Sequence, residues 1–314
     1  MTFTFGIYPG GLIGDETGLI EPVHPDDPAL ITAALRELQG AAPSFLVRAY
    51  RQHPEGRATP AEPERYAVEG RRLDLVLQFR EPDGRLDGWL DFVRHTVRTE
   101  GHRIAVLQIC EEPNVALPVL DGSVPNVRQA LVQGVIAAKE EALACGHDLR
   151  VGFNAALNLD PADTFWTELG ALADERFHRA LDYVGLDFFP DVFRPLPPER
   201  LAEMVTAVLT DFRHGSVAKA GIGPSVPLRI CEHGWPTGPD RTERRQAEVV
   251  AEVVRTVAGL ASELAIEGYA FFSLRDADSA GAGVFDRFGL LRDDYTRKPA
   301  FDVYRRLVAE LTSS

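Results

Sequence analysis

Cysteine is scarce in this chain. Among 314 residues there are three, Cys110, Cys145 and Cys231. An odd count without paired spacing excludes a disulfide framework and a cysteine zinc site. Lysine is scarce too: Lys139, Lys219 and Lys298 are the only lysines among 33 basic residues, which reads as base-composition bias rather than a site. Basic charge is outweighed by 47 acidic residues, for a net charge of −14. Such a field repels phosphate, so neither a nucleic acid nor an anionic membrane is expected as a partner, whereas a small neutral substrate is compatible. No run of 18 uncharged apolar residues occurs, so no membrane-spanning helix is expected. The start, "MTFTFGIYPGG", lacks a basic segment followed by an apolar one, so no secretory signal is read there. Together with the free thiols, this makes a cytoplasmic location the expectation.

What the chain does have is repetition. Short β-branched or aromatic runs alternate with amphipathic helical stretches. The strand candidates are 3–8, 44–50, 73–79, 104–110, 150–156, 181–189, 227–231 and 268–274. Helical patterns lie at 28–40, 88–101, 126–146, 199–212, 243–264 and 298–311. Gly40, Gly101 and Gly146 stand where helices should end, in the left-handed position that glycine tolerates best. The segment 54–71 carries three prolines and reads as a loop followed by a short helix. Eight strand starts spaced roughly 38 residues apart predict a single (β/α)8 barrel, with strands buried on both faces and hence nearly continuously apolar. A doubly wound open sheet is the alternative. It would need a G-x-G-x-x-G turn after the first strand, and "GIYPGGLIG" lacks that spacing and a helix opening directly after it, which favours the barrel; no cofactor is expected. No linker or low-complexity stretch divides the chain, and one domain over 1–314 is expected. The sequence is silent on oligomeric state.

In such a barrel, side chains at the carboxyl ends of the strands face the active site. Two strand ends carry matching signatures. The fourth ends "LQICEEPN", with Glu111, Glu112, Pro113 and Asn114, and the seventh ends "RICEHGWPTG", with Glu232, His233, Gly234 and Trp235. Glu112 and Glu232 are 120 residues apart, close to three units, which sets them almost across the barrel. Paired carboxyl groups facing one pocket suit glycosidic cleavage, one protonating the leaving oxygen while the other attacks or activates water. Two that are close cannot both ionise comfortably, so one is held protonated and supplies the acid.

These motifs resemble those of the clan A glycoside hydrolases. "CEEPN" is similar to their strand-4 N-E-P motif and "CEHGWPTG" to their strand-7 E-x-G-W motif. The finish, "GYAFFSLRDADS…FGLLRDDYTRKPAFDVYRRL", is similar to their aromatic eighth strand, its loop and the last helix. The resemblance implies a retaining glycosidase with Glu112 as acid/base and Glu232 as nucleophile, acting on a glycoside. It also implies that Arg48, on the second strand, supports the nucleophile's charge. Sugar contacts are expected from Arg48, Glu111, Asn114, Asp187, Trp235 and Phe272. Three departures stand out: Glu111 replaces the clan's asparagine, Asp187, Phe188 and Phe189 stand where a strand-6 tyrosine is usual, and Phe271 or Phe272 takes the place of a strand-8 tryptophan.

Plainer roles compete for several of these residues. Strand alternation would turn Glu111 outward. Arg48 would serve equally to neutralise buried carboxylates, and Trp235 to pack under its own loop. Cys110 and Cys231 read as small barrel residues, and His233 as a polar turn residue. Asn154 faces either way, and Asp276 and Asp278 would contact sugar or shape a turn. Two other functions fit the same pattern. One is a sugar-binding barrel without turnover. The other is a metal-dependent enzyme using Glu111, Glu112, His233 and Asp276, although no metal is the expectation.

Overall fold

All eight strand candidates form strands in the computed structural model, which describes residues 3–14, 18–158, 160 and 162–312. They are β1 (Thr4–Ile7), β2 (Phe45–His53), β3 (Arg71–Phe79), β4 (Ile104–Ile109), β5 (Arg150–Ala156), β6 (Tyr183–Asp187), β7 (Leu228–His233) and β8 (Ile266–Phe271). Each pairs in parallel with the next, and β1 pairs with both β8 (Thr4 opposite Gly268) and β2 (Gly6 opposite Leu46), so the sheet closes on itself. A closed barrel leaves no free sheet edge, and the open-sheet alternative falls. The ends of the expected 1–314 domain, 1–2 and 313–314, lie outside the described residues.

Eight α-helices surround the barrel among the described residues: α1 (Pro28–Gln39), α2 (Asp87–Glu100), α3 (Val127–Cys145), α4 (Phe165–Leu172), α5 (Glu175–Ala180), α6 (Leu201–Asp211), α7 (Glu243–Leu264) and α8 (Pro299–Thr312). Their buried faces follow the helical period, as with Val249, Val250, Val253, Val254 and Val257 of α7. Asp27 opens α1 by accepting from the Ala29 and Leu30 amides, with Pro28 in the first turn. Among the described residues no helix is long and apolar enough to cross a membrane.

The helices are not dealt one per unit. Between β2 and β3 the prolines allow only a two-residue strand, Ala58–Thr59, antiparallel to β2, and a single 3-10 turn, Pro63–Tyr66. Between β5 and β6 stand the two helices that the periodicity reading left out, α4 and α5. At 8 and 6 residues they are too short to show a period. Gly40 and Gly146 end their helices at positive φ (54° and 67°), as expected, but Gly101 does not. Its φ is −52° and the chain runs on into a 3-10 turn. A β-carbon there would sit 2.4 Å from the His147 ring, so close approach is what calls for glycine at 101.

Candidate active site

The exit from β4 departs from strand geometry. The strand ends at Ile109, and both Cys110 (φ 66°) and Glu112 (φ 41°) take left-handed backbone, unusual for residues with a side chain. Alternation therefore stops short of the two glutamates, and both line the same cavity. Buried acceptors hold this kink. Asp121 Oδ2 accepts from the amides of Glu111 and Phe79, each at 2.8 Å, and Asn154 Oδ1 accepts from the Glu112 amide at 2.9 Å. Strained backbone fixed by several independent bonds is the kind of distortion that functional sites carry.

The exit from β7 is distorted as well. Cys231 packs with Leu46, Val106 and Tyr183 in a small cluster inside the barrel, and the next residue, Glu232, also faces the cavity. Consecutive residues share a face because the ladder breaks register between Ile230 and Glu232. His233 then turns away, buried, with Nδ1 against the Tyr269 hydroxyl; it closes the strand and is no turn residue. Gly234 follows because a β-carbon there would lie 1.9 Å from the carbonyl oxygen of Phe272, just past the end of β8. The abrupt passage from an apolar strand to Glu232 and a glycine turn is thus the point where β7 presses on the exit of β8.

Arg48 and Tyr50, two apart on β2 and so on one face, reach Glu232 from below. Arg48 Nε lies 3.3 Å from Glu232 Oε1, and the Tyr50 hydroxyl donates to the same oxygen. Arg48 also donates to Tyr50 Oη (2.8 Å) and Gln108 Oε1 (3.1 Å), and stands 3.4 Å from Glu111 and 3.5 Å from Asp74. Gln108 in turn donates to Glu111 Oε2 at 2.6 Å. One guanidinium thus touches three carboxylates, Asp74, Glu111 and Glu232. Sequence reasoning missed Tyr50, Gln108 and Asp121. The i, i+2 step from Arg48 would have found Tyr50, whereas nothing periodic marks Asp121, which sits in the loop after β4.

The remaining expected site residues divide. Asp187 lies opposite Glu232 in the ladder, buried, and accepts from the Asn154 side chain, which settles that Asn154 faces inward. Ligand oxygens of Glu111, Asp187 and Glu232 lie within 4.8 Å of one another. These three, and not the set with His233 and Asp276, form the metal-like cluster among the described residues. Asp276 is instead bound to Lys298 Nζ (2.7 Å), Gly289 N and Ser279 Oγ. Asp278 caps the Ala280 amide. Phe272 lines the cavity, stacked on Tyr8 at 5.6 Å, while Phe271 packs outward on Tyr304. Asn114 and Trp235 are not among the lining residues. The Asn114 amide is spent on both backbone groups of Ala156, at 2.9 Å each, tying the β4 exit to β5. Trp235 is buried, donates to Asp191 Oδ2 at 3.2 Å and lies under Arg241.

Burial sets the protonation of this site. It pushes the Glu112 carboxyl up to about 8, with Glu232 adding to the shift and Arg48 opposing it. Burial likewise raises Glu111 and Asp187 well above the carboxylate range, with Arg48 opposing and the neighbouring acids adding. Glu232 is also raised by burial, but Arg48 and the Tyr50 hydrogen bond both pull it back. Desolvation disfavours every charge here, and Arg48 and Tyr50 both bond Glu232, while among the described residues no donor bonds the Glu112 carboxyl. Burial holds His233 neutral, at about 3. It also raises the thiols of Cys110 and Cys231, which leaves them protonated barrel residues.

The cavity over these groups measures about 950 Å³, ample for a sugar and a second group. No protein-family model and no curated protein sequence matches the chain. Solved structures do. A β-glucosidase, "1317", in its apo form is 15% identical with a TM-score of 0.61, over 90% of this chain and 88% of that one. The family 1 β-glucosidase from Thermotoga maritima is 13% identical with a TM-score of 0.61, over 88% and 85%. A β-glucuronidase from Ruminococcus gnavus, solved with uronic deoxynojirimycin, is 13% identical with a TM-score of 0.64, over 98% of this chain but 50% of that one. At such identities the likeness is one of architecture: this chain shares the closed (β/α)8 barrel fold of these solved glycosidases.

Proposed function

We propose that the protein is a retaining glycoside hydrolase in which Glu232 is the nucleophile and Glu112 the acid/base. One observation carries this reading: two cavity-lining glutamates at the exits of β4 and β7 have unlike partners, burial raising Glu112 to about 8 while Arg48 and Tyr50 bond Glu232 and oppose the rise that burial causes there. At neutral pH Glu112 keeps its proton for the leaving oxygen as the Glu232 carboxylate attacks the anomeric carbon. Once Glu112 has given up its proton, it takes one from the water that releases the sugar from Glu232. The motif resemblance and the shared fold support the same assignment. In this scheme Arg48 and Tyr50 hold Glu232 ionised and in place, and Phe272 on its Tyr8 stack is the apolar face against the sugar ring.

The test is a screen of aryl glycosides, begun with β-glucosides and β-glucuronides because the structural neighbours bear those names, comparing wild type with Glu112→Gln and Glu232→Gln. Turnover by wild type and its loss in Glu232→Gln are expected. So is covalent labelling of Glu232 by the 2-deoxy-2-fluoro glycoside of the accepted sugar. Full activity in Glu232→Ala would end the proposal. Saturable sugar binding without hydrolysis across the panel would favour a binding barrel instead.

A further inference from the structure

Resting on the glycosidase reading above, we propose that the group beyond the scissile bond is a bulky apolar alcohol and not a second sugar. The cavity has two unlike walls. Gln52, Thr59, Gln78 and Arg80, on and after β2 and β3, give one wall its hydrogen-bonding groups. Across the barrel, the segment after β6, the helix α6 and the loop after β8 contribute Phe189, Phe193, Leu196, Met204, Val208 and Phe285. None of these six offers more than the weak acceptor of a thioether.

The rings form a track from the carboxylates to the mouth. Phe189 lies 6.2 Å from Phe272 and 6.2 Å from Phe193, and Phe193 lies 6.0 Å from Phe285. Phe189 meets Phe272 at 85° and Phe193 at 74°, so these rings enclose a notch and not a flat floor for a pyranose. At the mouth Phe193 is 60% exposed, Leu19 49% and Leu117 37%, and all three line this cavity. A continuous apolar surface leading away from the reacting bond gains by being covered with carbon. A second sugar ring would instead lose water from its hydroxyls against these six side chains; of the charged groups on the same segment, Asp191 is already held by Trp235, the Leu196 amide and Arg245, and Arg194 is exposed.

The experiment is a series in the sugar that the screen identifies: methyl, butyl, hexyl, octyl and 2-naphthyl glycosides beside a disaccharide of the same sugar. Expected is a rise in kcat/KM of up to about fourfold per added methylene, with the disaccharide at or below the methyl glycoside. Phe193→Ser and Met204→Gln should each flatten that slope. A flat series, or a disaccharide cleaved faster than the octyl glycoside, overturns the inference and leaves the hydrolase assignment standing. If no glycoside is hydrolysed, the hydrolase assignment fails, and calorimetry of octyl against methyl β-glucoside on the same protein reads the wall by itself. Tighter octyl binding then upholds the apolar wall, and equal binding overturns it.

Discussion

Removing one oxygen from Tyr50 tests the proposal that Tyr50 and Arg48 keep Glu232 ionised. In Tyr50→Phe the ring can still pack on Tyr8, at 5.4 Å between centroids, but Glu232 loses its hydroxyl donor and Arg48 Nε its 2.8 Å acceptor. A hydrogen bond to a charged group is worth ~1.5–3 kcal/mol, and Arg48, at 3.3 Å, remains to take up part of the charge. The lower end of that range, about 1.5 kcal/mol, corresponds to about one pKa unit and about tenfold in rate. In the proposed mechanism Glu232 reacts as the anion. Burial already raises its pKa, and Tyr50 opposes the rise, so taking the hydroxyl away lets the pKa climb further. The acid limb of kcat/KM therefore moves to higher pH by about one unit. The basic limb, which the proposal assigns to Glu112 near pH 8, stays, because burial, Glu232 and Arg48 govern that group and Tyr50 is not among its causes. Full pH–rate profiles of both proteins on one aryl glycoside measure this. An acid limb that stays or falls, or a basic limb that moves instead, would refute the assignment of Tyr50 and Glu232.

Three other outcomes follow from the same structure. Glu112→Gln should abolish the basic limb near pH 8 and slow alkyl glycosides far more than aryl glycosides with acidic leaving groups, which depart without a proton; equal slowing of both would count against Glu112 as the acid. The melting temperature should fall as pH rises from about 4 to about 8, because native Glu112 and Asp121, raised to about 8 and about 7, still hold protons that the unfolded chain has released; calorimetric scans showing increasing stability over that window would contradict it. Lys298→Met leaves Asp276 as an unpaired carboxylate that is 1% exposed, and should cost about 3 kcal/mol in urea unfolding, while Lys298→Met combined with Asp276→Asn should recover part of that loss.

Local signals carried the architecture. β-branched runs, helical periods and their roughly 38-residue spacing prescribe a closed barrel, because strands buried on both faces and helices with one apolar face have few other ways to cover carbon. They also located Glu112 and Glu232, since strand ends are legible wherever an apolar run meets a turn. Short helices and proline-broken segments blurred the periodicity, which is why α4 and α5 were missed. The orientation of the site came from tertiary structure alone. Left-handed backbone at Cys110 and Glu112 and a register break before Glu232 turn side chains against strand alternation, so Glu111 faces in where alternation sends it out. Whether a polar residue is spent or available also depends on distant partners: Asn114 is consumed by Ala156, and Asp276 by Lys298. Acidity is the most distributed property of all, because it is the sum of burial and every charge within reach. Glu112 and Glu232 are the same residue type at the exits of two strands, and their different donors and charged neighbours across the barrel separate them.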